Sequence, residues 1–357
     1  LTPTQPSRGE LDRVPELDGI RALAIWMVLL AHLYFTAGAS PQALAWLPAP
    51  LRAVLGHGWL GVDLFFVLSG FLITRILRSN RHVDAGTYFR RFYLRRATRI
   101  LPLYLAVLLA LFVAYGLRYA PFFGLCLLLA ANLPGLLGVP VPLGAGPFWS
   151  LGVEEQFYFV WPWLALWLGR RGLALAALAI LLAEPLARAT WSGPLELTWF
   201  RADGLAMGAL VALWFESWDG RKRSALFFAA LLAGLALATL AAPSRAVRIS
   251  EGVCFFGALV TIACAFKGSA WLAPLRSRPA AVTALLSYCI YLIHTQLFVL
   301  FAWTAQALHW QGALSAAEWT NARAAFVVIS AYALAALSRR FLELPFLRLG
   351  RRLAPGD

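Results

Sequence analysis

Residues 18–32 read Asp18-Gly19-Ile20-Arg21-Ala22-Leu23-Ala24-Ile25-Trp26-Met27-Val28-Leu29-Leu30-Ala31-His32. An acid and a base open an apolar run, and a histidine stands near its far end. The run predicts a helix over Ile20–Thr36. At 3.6 residues per turn Arg21 and His32 share nearly one face, roughly 16 Å apart along the axis. Asp18 lies on that face one turn below Arg21. The run has no small-residue cleavage site and carries a histidine, so it is expected to be retained and not to act as a signal peptide.

The whole chain has the same character. Of 357 residues, 61% are hydrophobic and 13% charged. A soluble domain carries about 25% charged residues. One soluble core cannot hide this much apolar side chain, whereas a bilayer can, at about 20 apolar residues per crossing. The net charge is +14. Its arginines sit between apolar runs, which points to the inner leaflet of a membrane and away from nucleic acid. Cys126, Cys254, Cys264 and Cys289 all lie in apolar stretches without metal-ligand or disulfide spacing. They are expected to be packing residues, with no metal.

Eleven apolar runs are candidate helices: Ile20–Thr36, Trp59–Leu77, Ile100–Leu117, Pro121–Leu137, Phe148–Leu168, Gly172–Ala187, Phe200–Phe215, Ala225–Ala241, Gly252–Phe266, Val282–Ala307 and Ala324–Leu342. The Arg-rich loop from Arg75 to Arg99, the later basic loops and the basic tail should face the cytoplasm. Counting from both termini then leaves Pro121–Leu137 on the wrong side to cross. Asn132-Leu133-Pro134-Gly135 also breaks it. The expected fold is therefore all-α and polytopic, with about ten transmembrane helices and a re-entrant or interfacial segment near 121–137. Residues 1–17 are expected to be a polar cytoplasmic segment, 18–345 one transmembrane domain, and 346–357 a basic cytoplasmic tail.

Ionisable groups inside a bilayer cost roughly 3 kcal/mol or more each and mark candidate functional positions. His32 with Arg21 is the first; the plain structural reading is a histidine bonded to a neighbouring helix. Asp63 stands in Gly61-Val62-Asp63-Leu64-Phe65-Phe66-Val67-Leu68-Ser69-Gly70, with His32 or an arginine as its partner. Ser69 and Gly70 read as a close-packing pair. Arg95, Arg96 and Arg99 share a helix face, and arginine forks suit phosphate. Positive-inside anchoring accounts for one or two arginines, not for eight. In Phe148-Trp149-Ser150-Leu151-Gly152-Val153-Glu154-Glu155-Gln156-Phe157-Tyr158, Ser150 reads as a helix cap. Glu154 and Glu155 stand at an aromatic-rich outer helix end, where they could bind a sugar or assist proton transfer. Dipole stabilisation accounts for one glutamate. Arg201 with Asp203, a Gly204-to-Gly208 packing face, the Ser287/Tyr291/His294 face and Glu343 are weaker signals, favouring structural roles.

In this order the segments resemble membrane-bound acyltransferase family 3. The likeness runs from Leu17-Asp18-Gly19-Ile20-Arg21 with His32, through Gly61–Ile73, Phe92–Pro102 and Trp149–Tyr158, to Tyr291-Leu292-Ile293-His294 and Glu343-Leu344-Pro345. It implies transfer of an acyl group, often acetyl, from coenzyme A to a hydroxyl. The acceptor is expected to be a sugar or glycan, possibly lipid-linked. The family's Arg–ten residues–His motif falls on Arg21 and His32, and its Arg-x-x-Arg motif on Arg96 and Arg99. The resemblance places a hydrolase-like domain after the membrane part of many peptidoglycan-modifying members. None appears before Asp357, so a two-domain relay is not expected.

On this reading His32 is the base, with Arg21 holding the donor or the oxyanion, and Asp18, Asp63 or Glu154 orienting the imidazole. Arg95, Arg96, Arg99 and Ser69 form the donor site. The alternative chemical route has His32 carry the acyl group covalently. The expected partners are acetyl-coenzyme A or another acyl-coenzyme A, a sugar or glycan, and membrane lipids, with no nucleic acid. The expected location is a bacterial inner membrane with both termini cytoplasmic. A polytopic transporter of an anionic or sugar-linked solute is the competing class. The absence of a detectable inverted repeat argues against it.

Overall fold

The computed structural model describes residues 14–35, 41–216, parts of 225–232, 244–310 and 314–354. Among them the regular structure is helical throughout, with no strand. A lipid-embedded backbone must satisfy its own polar groups, and the helix does so within one segment. The helices are α1 (Glu16–Tyr34), α2 (Ala49–Gly56), α3 (Gly61–Ser79), α4 (Ala85–Tyr115), α5 (Ala120–Leu127), α6 (Phe148–Trp167), α7 (Arg170–Thr190), α8 (Ala202–Glu216), α9 (Arg245–Ala265), α10 (Arg278–Ala307), α11 (Ala316–Ser338) and α12 (Leu344–Leu353).

Seven helical segments are long and apolar enough to cross a membrane, so the chain is an all-α membrane protein. The expected count of about ten is higher than this number. One reason lies in α6, which has 20 residues but carries Glu154 and Glu155. Another is α8, whose 15 residues fall short of a full crossing. The expected helix at 225–241 falls largely outside the described residues.

Glycines set the closest helix crossing. A methyl group added at Gly70 of α3 would collide with the carbonyl oxygen of Leu205 on α8, and one at Gly208 with that of Val67. Added to Gly204 it would press on the Phe66 side chain. Small residues let two backbones meet where lipid gives helices no hydrophobic reason to associate. The Gly70 and Gly204/Gly208 packing faces are thus two halves of one contact.

The Arg-rich stretch is not a loop. α3 continues to Ser79, and only 80–84 separate it from α4. Asp84 starts α4 by accepting a hydrogen bond from the Thr87 amide at 2.9 Å, an N-cap. Arg90, Arg91, Arg95, Arg96 and Arg99 therefore ride on a single helix of 31 residues. It ends where Gly116 turns to φ 67°, a conformation that favours glycine. The basic tail is structured as well. α12 folds back on α4, with Gly350 against Thr98. Arg90 donates to the Leu353 carbonyl at 2.7 Å and Arg95 to that of Ala354 at 3.1 Å.

The segment 121–137 breaks as its sequence foretells. α5 has 8 residues, about 12 Å of rise, against a hydrocarbon core of roughly 30 Å. After it Leu129 takes φ 57°. Asn132 is buried, and its amide donates to Thr198 at 3.0 Å while accepting from Gln156 at 2.8 Å. Gln156 also donates to the Leu129 carbonyl at 3.2 Å. The broken backbone after α5 is thus covered by protein contacts, as a membrane-embedded segment would require.

Candidate active site

Two cavities follow the Arg21–His32 face of α1. The first, about 390 Å³, lies at the end where α1 begins. Asp18, Arg21, Ser69, Arg96, Arg99 and Glu154 all line it. Arg21 and Arg99 form no ion pair or hydrogen bond with any described residue. Arg99 also lines two adjoining cavities, of about 780 and 430 Å³, which add Arg91, Arg95, Arg339 and Arg351. Arg339 is paired with Glu343 at 3.5 Å, whereas Arg21 and Arg99 present guanidinium groups to cavity space, an arrangement that favours an anion.

Arg96 is held differently. It meets Glu154 at 3.4 Å and Glu155 at 3.8 Å, and stands 3.7 Å over the ring of Tyr158. Glu154 also accepts from Ser69 at 3.1 Å and from the Tyr158 hydroxyl at 3.0 Å. Glu154 thus sits in the arginine cavity. It is not at an outer helix end, because α6 starts within the bundle. Pro147, just before α6, lines the second cavity, and Glu154, two turns later, lines the first.

The second cavity, about 520 Å³, holds His32. The His32 Nδ1–H donates to the Val28 carbonyl one turn back at 2.9 Å, which leaves the lone pair on Nε2. A backbone carbonyl therefore orients the imidazole. The three carboxylates considered for that role lie elsewhere: Asp18 and Glu154 line the arginine cavity, and Asp63 pairs with Arg201. The ring of His294 on α10 stands 4.8 Å from that of His32, edge to face. His294 is fully buried, and its Nδ1–H donates to the Tyr291 carbonyl at 2.7 Å.

The cavities share two wall residues, Val62 and Tyr291. The Tyr291 hydroxyl lies 2.6 Å from that of Ser150, and its ring is edge-on to Phe65 at 5.9 Å. Ser150 is inside α6 and holds Tyr291; it is not the cap of that helix. So the two cavities along this face of α1 have Val62 and Tyr291 in common.

Asp63 is apart from both cavities. It is fully buried and pairs with Arg201 at 2.8 Å. Beside it Arg188 pairs with Asp203 at 2.5 Å and donates to Ser250 at 2.7 Å, and Glu184 accepts from the Asp203 amide at 2.8 Å. Arg201 and Asp203, two apart in sequence, thus bind separate partners. The cluster ties α3, α7, α8 and α9 together, a structural use of buried charge.

Sequence reasoning passed over Arg323. It lines the histidine cavity and donates to the Leu33 carbonyl at 3.0 Å. The expected helix began at Ala324, and α11 begins at Ala316. A lone arginine inside that longer apolar helix is the signal that could have found it. His294 and Tyr291 were visible as one helix face and gain their meaning from His32 and Ser150.

Cationic cavity space at one end of a helical bundle, with a histidine-lined cavity beside it, is the polar interior of an all-α membrane protein. The chain belongs to the family described as an acyltransferase domain (Acyl_transf_3), which matches residues 14–340. It is 31% identical over 172 residues to the peptidoglycan O-acetyltransferase OatA of Listeria monocytogenes, covering 42% of this chain and 24% of that protein. It is 33% identical over 165 residues to the putative peptidoglycan O-acetyltransferase YrhL of Bacillus subtilis, covering 42% and 23%. It is 27% identical over 175 residues to a putative O-acetyltransferase of Staphylococcus aureus, again covering 42% and 24%. The chain thus spans about a quarter of the length of these relatives. No solved structure matches it.

Proposed function

We propose that this protein is a membrane-bound O-acyltransferase that moves an acyl group, acetyl in the simplest case, from acyl-coenzyme A to a hydroxyl of a sugar or glycan. The observation that carries this reading is the shared wall. An anion site lined by Arg21 and Arg99 and a chamber holding an oriented His32 meet at Val62 and Tyr291. The coenzyme A phosphates sit among Arg99, Arg95 and the neighbouring arginines at the cytoplasmic end. Arg96 and Ser69 shape that site by fixing Glu154. Arg21, deeper on α1, faces the thioester end of the donor.

The acceptor hydroxyl enters the His32 chamber from the other side. His32 Nε2 takes its proton, the hydroxyl oxygen attacks the thioester carbonyl, the C–S bond breaks, and the thiolate leaves with a proton. An imidazole whose unperturbed pKa is about 6.5 can serve as base near neutral pH. The covalent route, with the acyl group first on His32, uses the same atoms in two steps. The setting is a bacterial inner membrane with both termini cytoplasmic. Arginine crowding at the end where α1 begins and α12 folds back supports that orientation.

The test is to give the purified protein radiolabelled acetyl-coenzyme A and a pool of surface glycans. Label on the glycan is the expected result, and His32→Ala should abolish it. Solute uptake into vesicles without glycan labelling would reject the enzyme in favour of a transporter.

A further inference from the structure

Among the described residues that line the histidine chamber, Arg323 is the one permanently charged side chain and none is a carboxylate. Arg323 forms no ion pair with a described residue. One guanidinium nitrogen donates to the Leu33 carbonyl, in the last turn of α1. The guanidinium also lies 5.3 Å from the centre of the Phe298 ring. Its Nε is buried without a hydrogen-bond partner. A half-buried guanidinium held on two sides, with a donor unused and no counter-charge, is costly unless something anionic completes it. Capping of α1 accounts for one of its five donors. It does not account for placing the remaining charge in a cavity lined by Trp149, Phe298 and Tyr291.

Leu33 follows His32 in sequence, so the anchor that fixes Arg323 is the residue next to the base. We propose that the acceptor carries an anionic group, a carboxylate or a phosphate, close to the hydroxyl that reacts, and that Arg323 reads it. The aromatic walls take the apolar face of the sugar ring while the guanidinium fork takes the anion. Arg323 is on this view the specificity-determining residue of the acceptor chamber. The inference rests on the acyltransferase reading for the word acceptor, and on the chamber alone for the anion.

The test reads occupancy of the chamber without acyl transfer. The purified full chain is treated with diethyl pyrocarbonate, and modification of His32 is followed by peptide mass spectrometry. Two matched pairs of probes are added in separate arms: methyl glucuronide against methyl glucoside, and farnesyl phosphate against farnesol. The first arm reports an acidic sugar, the second a lipid-linked phosphate. In at least one arm the charged member should protect His32 at a roughly tenfold lower concentration, the effect of one charge-assisted contact. Arg323→Lys should keep that preference, and Arg323→Gln should erase it. Equal protection by both members, protection by neither in either arm, or a preference that survives Arg323→Gln would each overturn the proposal. If transfer is absent while selective protection remains, the acyltransferase reading fails and the anion site stands. If transfer is intact while selectivity is missing, only the role of Arg323 falls.

Discussion

Arg96 lies 3.4 Å from Glu154, and that contact divides the arginines of α4 into two kinds. Arg96 is spent on Glu154, Glu155 and the Tyr158 ring, whereas Arg99, one turn on, faces open cavity without an acid partner. Removing them should therefore have separate effects. Arg96→Ala strands two carboxylates in a poorly solvated place and should cost about 3 kcal/mol of stability. Arg99→Ala should leave stability nearly unchanged and weaken acyl-coenzyme A binding by roughly tenfold to a hundredfold, the worth of a charge-assisted bond. Thermal unfolding in detergent and a donor titration check the pair. Equal melting points for the two variants would refute the division.

The Asp63–Arg201 pair is expected to hold the fold and to leave the chemistry alone. Asp63→Ala leaves a buried guanidinium unpaired and should destabilise by about 3–5 kcal/mol. The double change Asp63→Ala with Arg201→Met should recover a large part of that loss. A double-mutant cycle of unfolding free energies measures the coupling. Additive losses would show that the two side chains do not act as a pair.

Glycine replacements should differ in sign. Gly70→Ala drives a methyl group into the Leu205 backbone and should lower stability by at least about 1–3 kcal/mol. Gly124→Ala in α5 meets nothing within 4 Å and should raise stability by roughly 0.5–1 kcal/mol through helix propensity. The melting temperatures of the two variants decide the matter. A harmless Gly70→Ala would mean that α3 and α8 are not packed backbone to backbone.

Tyr291 should act as the partition. Thr295→Cys places a thiol in the histidine chamber. In sealed vesicles a membrane-impermeant maleimide should reach it from one side only. Adding Tyr291→Ala should make it reachable from both sides, whereas Tyr291→Phe, which keeps the ring, should not. Unchanged labelling in the Tyr291→Ala background would place the barrier elsewhere.

Much of this architecture is legible in one dimension. The Arg21–His32 face is set by helical period alone, and both residues line cavities as that period predicts. The break at Asn132-Leu133-Pro134-Gly135 is readable because proline and glycine act locally. Partners are not readable that way. Asp63 lies closer in sequence to His32 than to Arg201, yet α8 brings Arg201 to it. The same holds for Glu154, whose neighbours come from α3 and α4. Charge in the Arg-rich stretch suggests a solvated loop, whereas Asp84 caps a helix there. Arg323 escaped notice because the apolar run that defined its helix began one residue too late.

The narrow septum of Val62 and Tyr291 also bears on cellular energetics. A bore open at both mouths would short-circuit the electrochemical gradient that an energised bilayer maintains. On the proposed reaction, two side chains, one latched to a serine hydroxyl, would have to let a group as small as an acyl unit change hands while holding ions back.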